Sequence, residues 1–256
     1  MSHVFLYALS ASVLASIGGL VGAVFLVVKE SFAKKLSRVM LSFAAGVLLG
    51  VTFLDLMPEA LKSYDGSDRV FTFVFLGVVI FYLIERAVAS FHRHEHQAID
   101  EHAETSDEAL KRSVPLIIFG DSLHNFIDGI TVAVTFVVSV PLGIATATSV
   151  FVHEIPHEIA DFTILLRTGM RRSRVFLVNL VAALVSPLGT VVAYFFASHI
   201  HAIQAPLLAF AAGNLLYISM TDLLPHLHHE RDRGTVLVQT LLFVLGVAIF
   251  FFVPKG

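Results

Sequence analysis

Charge interrupts this chain so rarely that most of its length can fold only where water is excluded. Apolar runs bounded by charged or turn-forming residues recur at 4–28, 39–60, 70–91, 114–138, 142–166, 175–197, 205–225 and 235–253. A helix needs about 20 apolar residues to cross the hydrocarbon core. With 56% of 256 residues hydrophobic and only 14% charged, eight such helices with short connections account for the whole chain. The expected fold class is an all-α membrane protein of eight transmembrane helices, a single transmembrane domain over 1–256, with the lipid bilayer as its solvent. No Lys or Arg precedes the first run, which is as long as a full span, so it reads as a retained helix and not as a cleaved leader.

The basic residues give the orientation. Lys29, Lys34, Lys35 and Arg38 follow the first run; Arg86, Arg93, Lys111 and Arg112 the third; Arg167, Arg171, Arg172 and Arg174 the fifth; Arg231 and Arg233 the seventh. Only Lys62, Arg69 and Lys255 fall on the other side. Lys and Arg in short loops mark the cytoplasmic face, so both termini are expected on the non-cytoplasmic side, in a cell (plasma or inner) membrane. The one long connection, at about 92–113, is polar and cytoplasmic and carries His92, His94, His96 and His102. Such a tract binds metal weakly at most, and it is assigned no defined site.

An internal repeat constrains the architecture further. At an offset of 167 residues, nine of the 17 positions from Phe43 to Glu59 are identical to their counterparts, including Phe43, Ala44, Ala45 and Gly46 with Phe210, Ala211, Ala212 and Gly213. Small residues alone would be weak evidence, but Asp55 and Pro58 recur as Asp222 and Pro225 in the same register. Span two runs outward and span seven inward, so the repeat is inverted: spans 1–3 and 6–8 arranged around central spans 4 and 5. Inverted repeats of this kind build secondary transporters, with the substrate site near the midplane.

Spans four and five carry the groups that need explaining. Span four holds His124, Asn125 and Asp128, and span five holds His153, Glu154, His157, Glu158 and Asp161. Each ionisable group at the bilayer centre costs about 2.5–3.5 kcal/mol on insertion scales, so a cluster of them marks a function. His124 and Asp128 are four residues apart and share a helix face, as do His153 and His157, and Glu154 and Glu158. There is no cysteine, so any metal is held by nitrogen and oxygen, a donor set that suits zinc, iron and manganese. Asp121 and Asp161 can carry an ion onward or orient the histidines. Pro156, inside the His153–His157 turn, predicts a kink that frees carbonyls at the site.

These residues resemble a known family. HNFIDG at 124–129 and HEIPHE at 153–158 are similar to the paired signatures of the ZIP (Zrt/Irt-like) divalent-metal transporters, and the DLMPEAL and DLLPHL segments at Asp55 and Asp222 extend the likeness over nearly the whole chain. The resemblance implies a midplane metal centre, mononuclear or binuclear, with His124, Asn125, Asp128, His153, Glu154 and His157 as ligands and Glu158 as a further candidate. Many bacterial relatives carry an acid before the proline of span six where this chain has Ser186 ahead of Pro187, and a His where it has Asp55. The implied function is transport of a divalent transition-metal ion into the cytoplasm, zinc first, with iron, manganese, cobalt and cadmium also suited. The metal is substrate, and no cofactor is expected.

The rival reading is an intramembrane zinc metalloprotease, because His153, Glu154 and His157 form a literal HExxH. Pro156 within it and the inverted duplication both argue against a single-metal hydrolase, so no enzyme is expected. A net charge of −3 without basic clusters excludes a nucleic-acid partner. Small-residue faces such as 43–46 can pack helices within one chain or between the protomers of a homodimer. The ion is expected to pass Asp55 on the outer side and to leave past Asp222 and His226, with one repeat moving rigidly against the central helices.

Overall fold

The computed structural model describes residues 3–28, 30–62, 66–97, 106–199, 201–228 and 232–252. All regular structure among them is helical. The elements are α1 (His3–Val28), α2 (Glu30–Val51) continuing through a π-helical turn (Thr52–Leu56) into α3 (Met57–Lys62), α4 (Ser67–Gln97), α5 (Ser106–Val138), α6 (Val140–Arg167), α7 (Arg172–Ala183), α8 (Val185–His199), α9 (Gln204–Ile218) continuing through a second π-helical turn (Ser219–Leu223) into α10 (Leu224–His228), and α11 (Arg233–Ile249). Six segments are long and apolar enough to cross a membrane: His3–Val21, Val39–Lys62, Ser67–Arg86, Val114–Val138, Arg172–Ala197 and Gln204–Leu223. The helix α6, 28 residues long, carries Glu154, Glu158 and Asp161 in its second half, and α11 is 17 residues long.

Local chemistry sets the boundaries. Ser139 adopts an extended backbone and its hydroxyl accepts from the Leu142 amide, capping α6 just ahead of Pro141. Asp232 caps α11, and hydrogen bonds from the Thr235 amide and hydroxyl hold its carboxyl below the usual range. Between α6 and α7 the chain turns at Gly169, whose φ of 82° suits glycine.

Packing divides the helices into two groups. In one, α1 lies along α6 and α5 along α8; in the other, α2 lies along α11 and α4 along α9. Reciprocal glycines allow three of these contacts. A methyl on Gly46 would strike the Phe243 carbonyl oxygen and one on Gly246 the Phe43 backbone; Gly213 stands in the same relation to Val74, Gly77 to Phe210, Gly129 to Ser186 and Gly189 to Phe126. Without a hydrophobic drive between helices in lipid, such close backbone approach is the main source of association. The groups meet where α2 crosses α6 and α5 crosses α9. Ala44, Leu48, Val51, Leu208, Ala212 and Leu215 are buried in the core, whereas Leu14, Phe75, Phe195 and Leu237 point outward, as a surface solvated by acyl chains requires.

The structure adds to the sequence expectations in three places. Beyond Pro156, which lies within the continuous helix α6, departures from α geometry lie ahead of Pro58 and Pro225, where the Met57 amide bonds to the Thr52 carbonyl and the Leu224 amide to that of Ser219. A proline ring crowds the carbonyl four residues back, and a widened turn relieves that clash. Span six is divided at Leu184, so that Pro187 falls in the first turn of α8, where a missing amide costs least. Lastly, α4 continues through His92, His94 and His96 to Gln97 and α5 begins at Ser106, because Glu95, Gln97, Glu108 and Lys111 favour helix beyond the bilayer. The side chains of those histidines, of His102 and of His226 lie outside the described residues.

Candidate metal centre

The antiparallel helices α5 and α6 bring the ionisable residues of spans four and five together. His124, Asp128, His153 and Glu154 are all buried, and each places one ligand atom within 4.8 Å of the others. His124 Nε2 lies 3.2 Å from His153 Nε2, 3.3 Å from Glu154 Oε1 and 3.6 Å from Asp128 Oδ2, while His153 Nε2 lies 3.0 Å from Asp128 Oδ2 and 3.5 Å from Glu154 Oε1.

The tautomer of His153 follows from its other nitrogen. Its Nδ1 is 3.0 Å from the Ser149 carbonyl oxygen, which can only accept, so Nδ1 carries a proton and the ring is held with Nε2 facing the cluster, the nitrogen left for a ligand role. Both oxygens of Asp128 and both of Glu154 are buried without a hydrogen-bond partner. Ring nitrogens approach only one oxygen of each carboxylate, which leaves two buried acids poorly compensated, whereas a dication ligated by two imidazoles and two carboxylates would compensate them.

The remaining expected ligands are distributed differently. His157 joins Asp121 and Asp161 in a second group of ligand atoms within 4.8 Å of one another. Its Nδ1 lies 3.6 Å from Asp161 Oδ2, and its ring stacks on that of His124 at a centroid distance of 4.7 Å and 12° between planes. Asn125 is turned away from the first group: its amide donates to the Asp121 carbonyl at 3.2 Å and to Asp121 Oδ1 at 2.9 Å. Glu158 is fully buried against Gly19 of α1, with neither oxygen hydrogen-bonded, and it belongs to neither group among the described residues. The two histidines of HExxH thus sit in different groups, unlike the shared metal of a zinc protease.

A cavity of about 270 Å³ leads away from the centre, lined by His124 and His157 at one end and by Phe81, Glu85, Tyr217 and Asp222. Asp222 and Asp55 occupy matching positions in the two π-helical turns; Asp222 reaches this cavity, whereas Asp55 is buried at 6% exposure. Sequence reasoning missed three contributors. Glu85 reads as a boundary charge beside Arg86, but it accepts a 2.6 Å hydrogen bond from the Tyr217 hydroxyl. Tyr217 reads as an ordinary core aromatic, and Ser149 acts through its backbone. Ser186 is buried, with its hydroxyl 3.0 Å from that of Ser12 and its carbonyl against Gly129, next to Asp128.

Comparison with known proteins agrees with this arrangement. The family model described as ZIP Zinc transporter matches residues 2–115 and 91–254. Among curated proteins, the chain is 29% identical over 309 residues to the zinc transporter ZIP13 homolog of Drosophila melanogaster, covering 95% of this chain and 87% of that protein. It is 32% identical over 224 residues to zinc transporter ZIP13 of Pongo abelii, covering 82% and 64%, and 33% identical over 153 residues to zinc transporter ZIP10 of Danio rerio, covering 57% and 18%. The helical fold with its long apolar segments is that of an integral membrane protein. The chain belongs to the ZIP zinc transporter family, a family of transporters and not of enzymes, so the protease reading has no support.

Proposed function

We propose that this chain, as one domain over 1–256, moves a divalent transition-metal ion, zinc foremost, from outside the cell into the cytoplasm. The observation that carries the proposal is the convergence of His124, Asp128, His153 and Glu154 with both carboxylates lacking hydrogen-bond partners. Iron, manganese, cobalt and cadmium suit the same donors, and zinc is preferred because the relatives above are named zinc transporters. His157 stands beside this group as a further ligand, Asn125 braces it through Asp121, and Glu158 is kept as a reserve ligand.

The eight-span, inverted-repeat arrangement, with both termini outside the cell membrane, is part of this reading. Two observations support it. The π-helical turns begin at Thr52 and Ser219, separated by the same 167 residues as the sequence repeat. The packing of α2 on α11 is mirrored by that of α4 on α9, which is what exchanging the repeats would produce. The cavity is lined by Glu85, Gly120, Tyr217 and Asp222, which in the sequence lie toward the Arg-bearing connections, and this supports a path on which the ion passes Asp55 from outside and leaves past Asp222 and His226 toward the cytoplasm. Both glycine-bearing faces are used within the chain, which leaves a homodimer to form through other surfaces.

Sealed proteoliposomes test the proposal. Saturable zinc uptake by the intact chain, reduced at least about a hundredfold by Asp128→Ala with the variant still inserted, is expected for loss of a buried charged ligand. Undiminished uptake by that variant would remove the site.

A further inference from the structure

We infer that Asn214 on α9 is a further residue of the ion's path, the polar contact that the loaded metal centre makes on α9 once the cavity has closed. The inference rests on the transport reading above. Asn214 is fully buried, and neither its amide nitrogen nor its amide oxygen has a hydrogen-bond partner among the described residues. Its neighbours on α9, Leu208, Ala211, Ala212, Leu215 and Ile218, belong to the apolar core. An unpaired buried amide is costly, and an apolar side chain of similar shape would remove the cost.

The fold does not ask for an amide here. At the 167-residue offset of the sequence repeat, Asn214 corresponds to Val47 on α2. Val47 is 3% exposed and lines an apolar crevice together with Val152 of α6. Both positions thus lie on helices that cross the central pair, α2 on α6 and α9 on α5. An apolar side chain serves that crossing on α2, whereas α9 carries an amide.

Position supplies the reason. Asn214 precedes Tyr217 and Ile218 by three and four residues, so it continues the face of α9 that lines the cavity, one turn further from Asp222. A methyl on Gly77, one turn before Phe81 of the α4 wall, would come within 3.1 Å of the Asn214 backbone nitrogen, which sets the residue at the closed end of the cavity. His124 of the metal centre reaches the cavity beside Tyr217 and Ile218. Displacing α5 and α6 along α9 by one helical turn away from Asp222, about 5.4 Å, carries the centre out of the cavity and level with Asn214. There the neutral amide oxygen accepts from water on the ion or approaches the ion itself, and the amide gains the partner it lacks in the open arrangement.

Two substitutions in the full chain test this. Asn214→Leu removes the amide and nearly keeps its volume. In sealed proteoliposomes its maximal zinc uptake should fall about tenfold, with the half-saturating concentration within about threefold of that of the intact chain. Its melting temperature in detergent should be unchanged or higher, whereas a merely structural amide would lower it. Asn214→Cys places the chain's only thiol at the same point. With cadmium, which favours soft thiolate ligands, this variant in lipid nanodiscs should develop the ultraviolet absorption of a cadmium-thiolate bond. Ala212→Cys should not, because Ala212 shares the face of α9 from which Ser219 donates to the Ala45 carbonyl of α2. Uptake by Asn214→Leu equal to that of the intact chain would overturn the inference. So would a folded Asn214→Cys variant that binds cadmium without that absorption, since the ion would then never meet this position. Absence of uptake by the intact chain would count against the transport reading, and the cadmium spectrum, which needs no flux, still decides whether the ion meets Asn214.

Discussion

Two carboxylates buried beside two imidazoles make a poor protein interior and a good ligand set. Asp128 and Glu154 are each within 3.0–3.6 Å of ring nitrogens and still lack hydrogen bonds. Glu158 makes a useful contrast, because it is equally buried and unbonded but lies outside both ligand groups, against Gly19. Glu158→Gln is therefore expected to leave zinc affinity within about threefold, whereas Glu154→Gln should weaken it at least about tenfold; equilibrium dialysis distinguishes them, and equal losses would make Glu158 a ligand. The spacing of four residues put His124 with Asp128, which the structure keeps in one group, but it paired His153 with His157 and Glu154 with Glu158, which the structure parts. It could not show that His157 parts from His153 to join Asp121 and Asp161, or that Asn125 turns toward Asp121. Those facts depend on how α5 is rotated against α6, which is settled by close packing elsewhere, including Gly129 and Gly189 between α5 and α8.

The helices themselves were legible because the bilayer permits few alternatives to them, and among the described residues each apolar run is helical over most of its length, with a break at Leu184 and an end at Ile249. Their ends were less so: α4 and α5 extend past the apolar residues into the polar connection on helix propensity alone. The prolines were uneven signals: α6 stays helical through Pro156, while Pro58 and Pro225 follow the widened turns that the sequence did not announce. Small residues proved more informative than prolines. Gly46 and Gly213 hold α2 against α11 and α4 against α9, each within contact distance of a backbone carbonyl. Gly46→Leu and Gly213→Leu should each cost about 1–3 kcal/mol or more through overpacking, seen as a lower melting temperature in detergent. Gly66, where nothing lies within 4 Å of an added methyl but φ is 109°, should respond to alanine through backbone strain alone.

At the scale of the whole molecule, the two helix groups cut across the repeats that the sequence suggests. The group of α1, α5, α6 and α8 holds both clusters of candidate ligands, and the group of α2, α4, α9 and α11, with the π-helical turn after α9, supplies Phe81, Glu85, Tyr217 and Asp222 to the cavity. Alternating exposure is therefore expected as sliding of one mixed group against the other, in place of one repeat against the central helices. The chain has no native cysteine, so Cys pairs can be placed freely. Val47 on α2 and Val152 on α6 line an apolar crevice of about 430 Å³ between the groups. Bridging Val47→Cys and Val152→Cys with a short bifunctional thiol reagent should stop uptake while leaving zinc binding intact; full uptake by the bridged protein would mean that this face does not move. The account as a whole depends on the cluster being a transport site. The most direct measurement is time-resolved zinc and manganese uptake into sealed proteoliposomes by the intact chain and by Glu154→Ala. The account predicts saturable flux that disappears with Glu154; tight stoichiometric binding with no flux of any metal would contradict it.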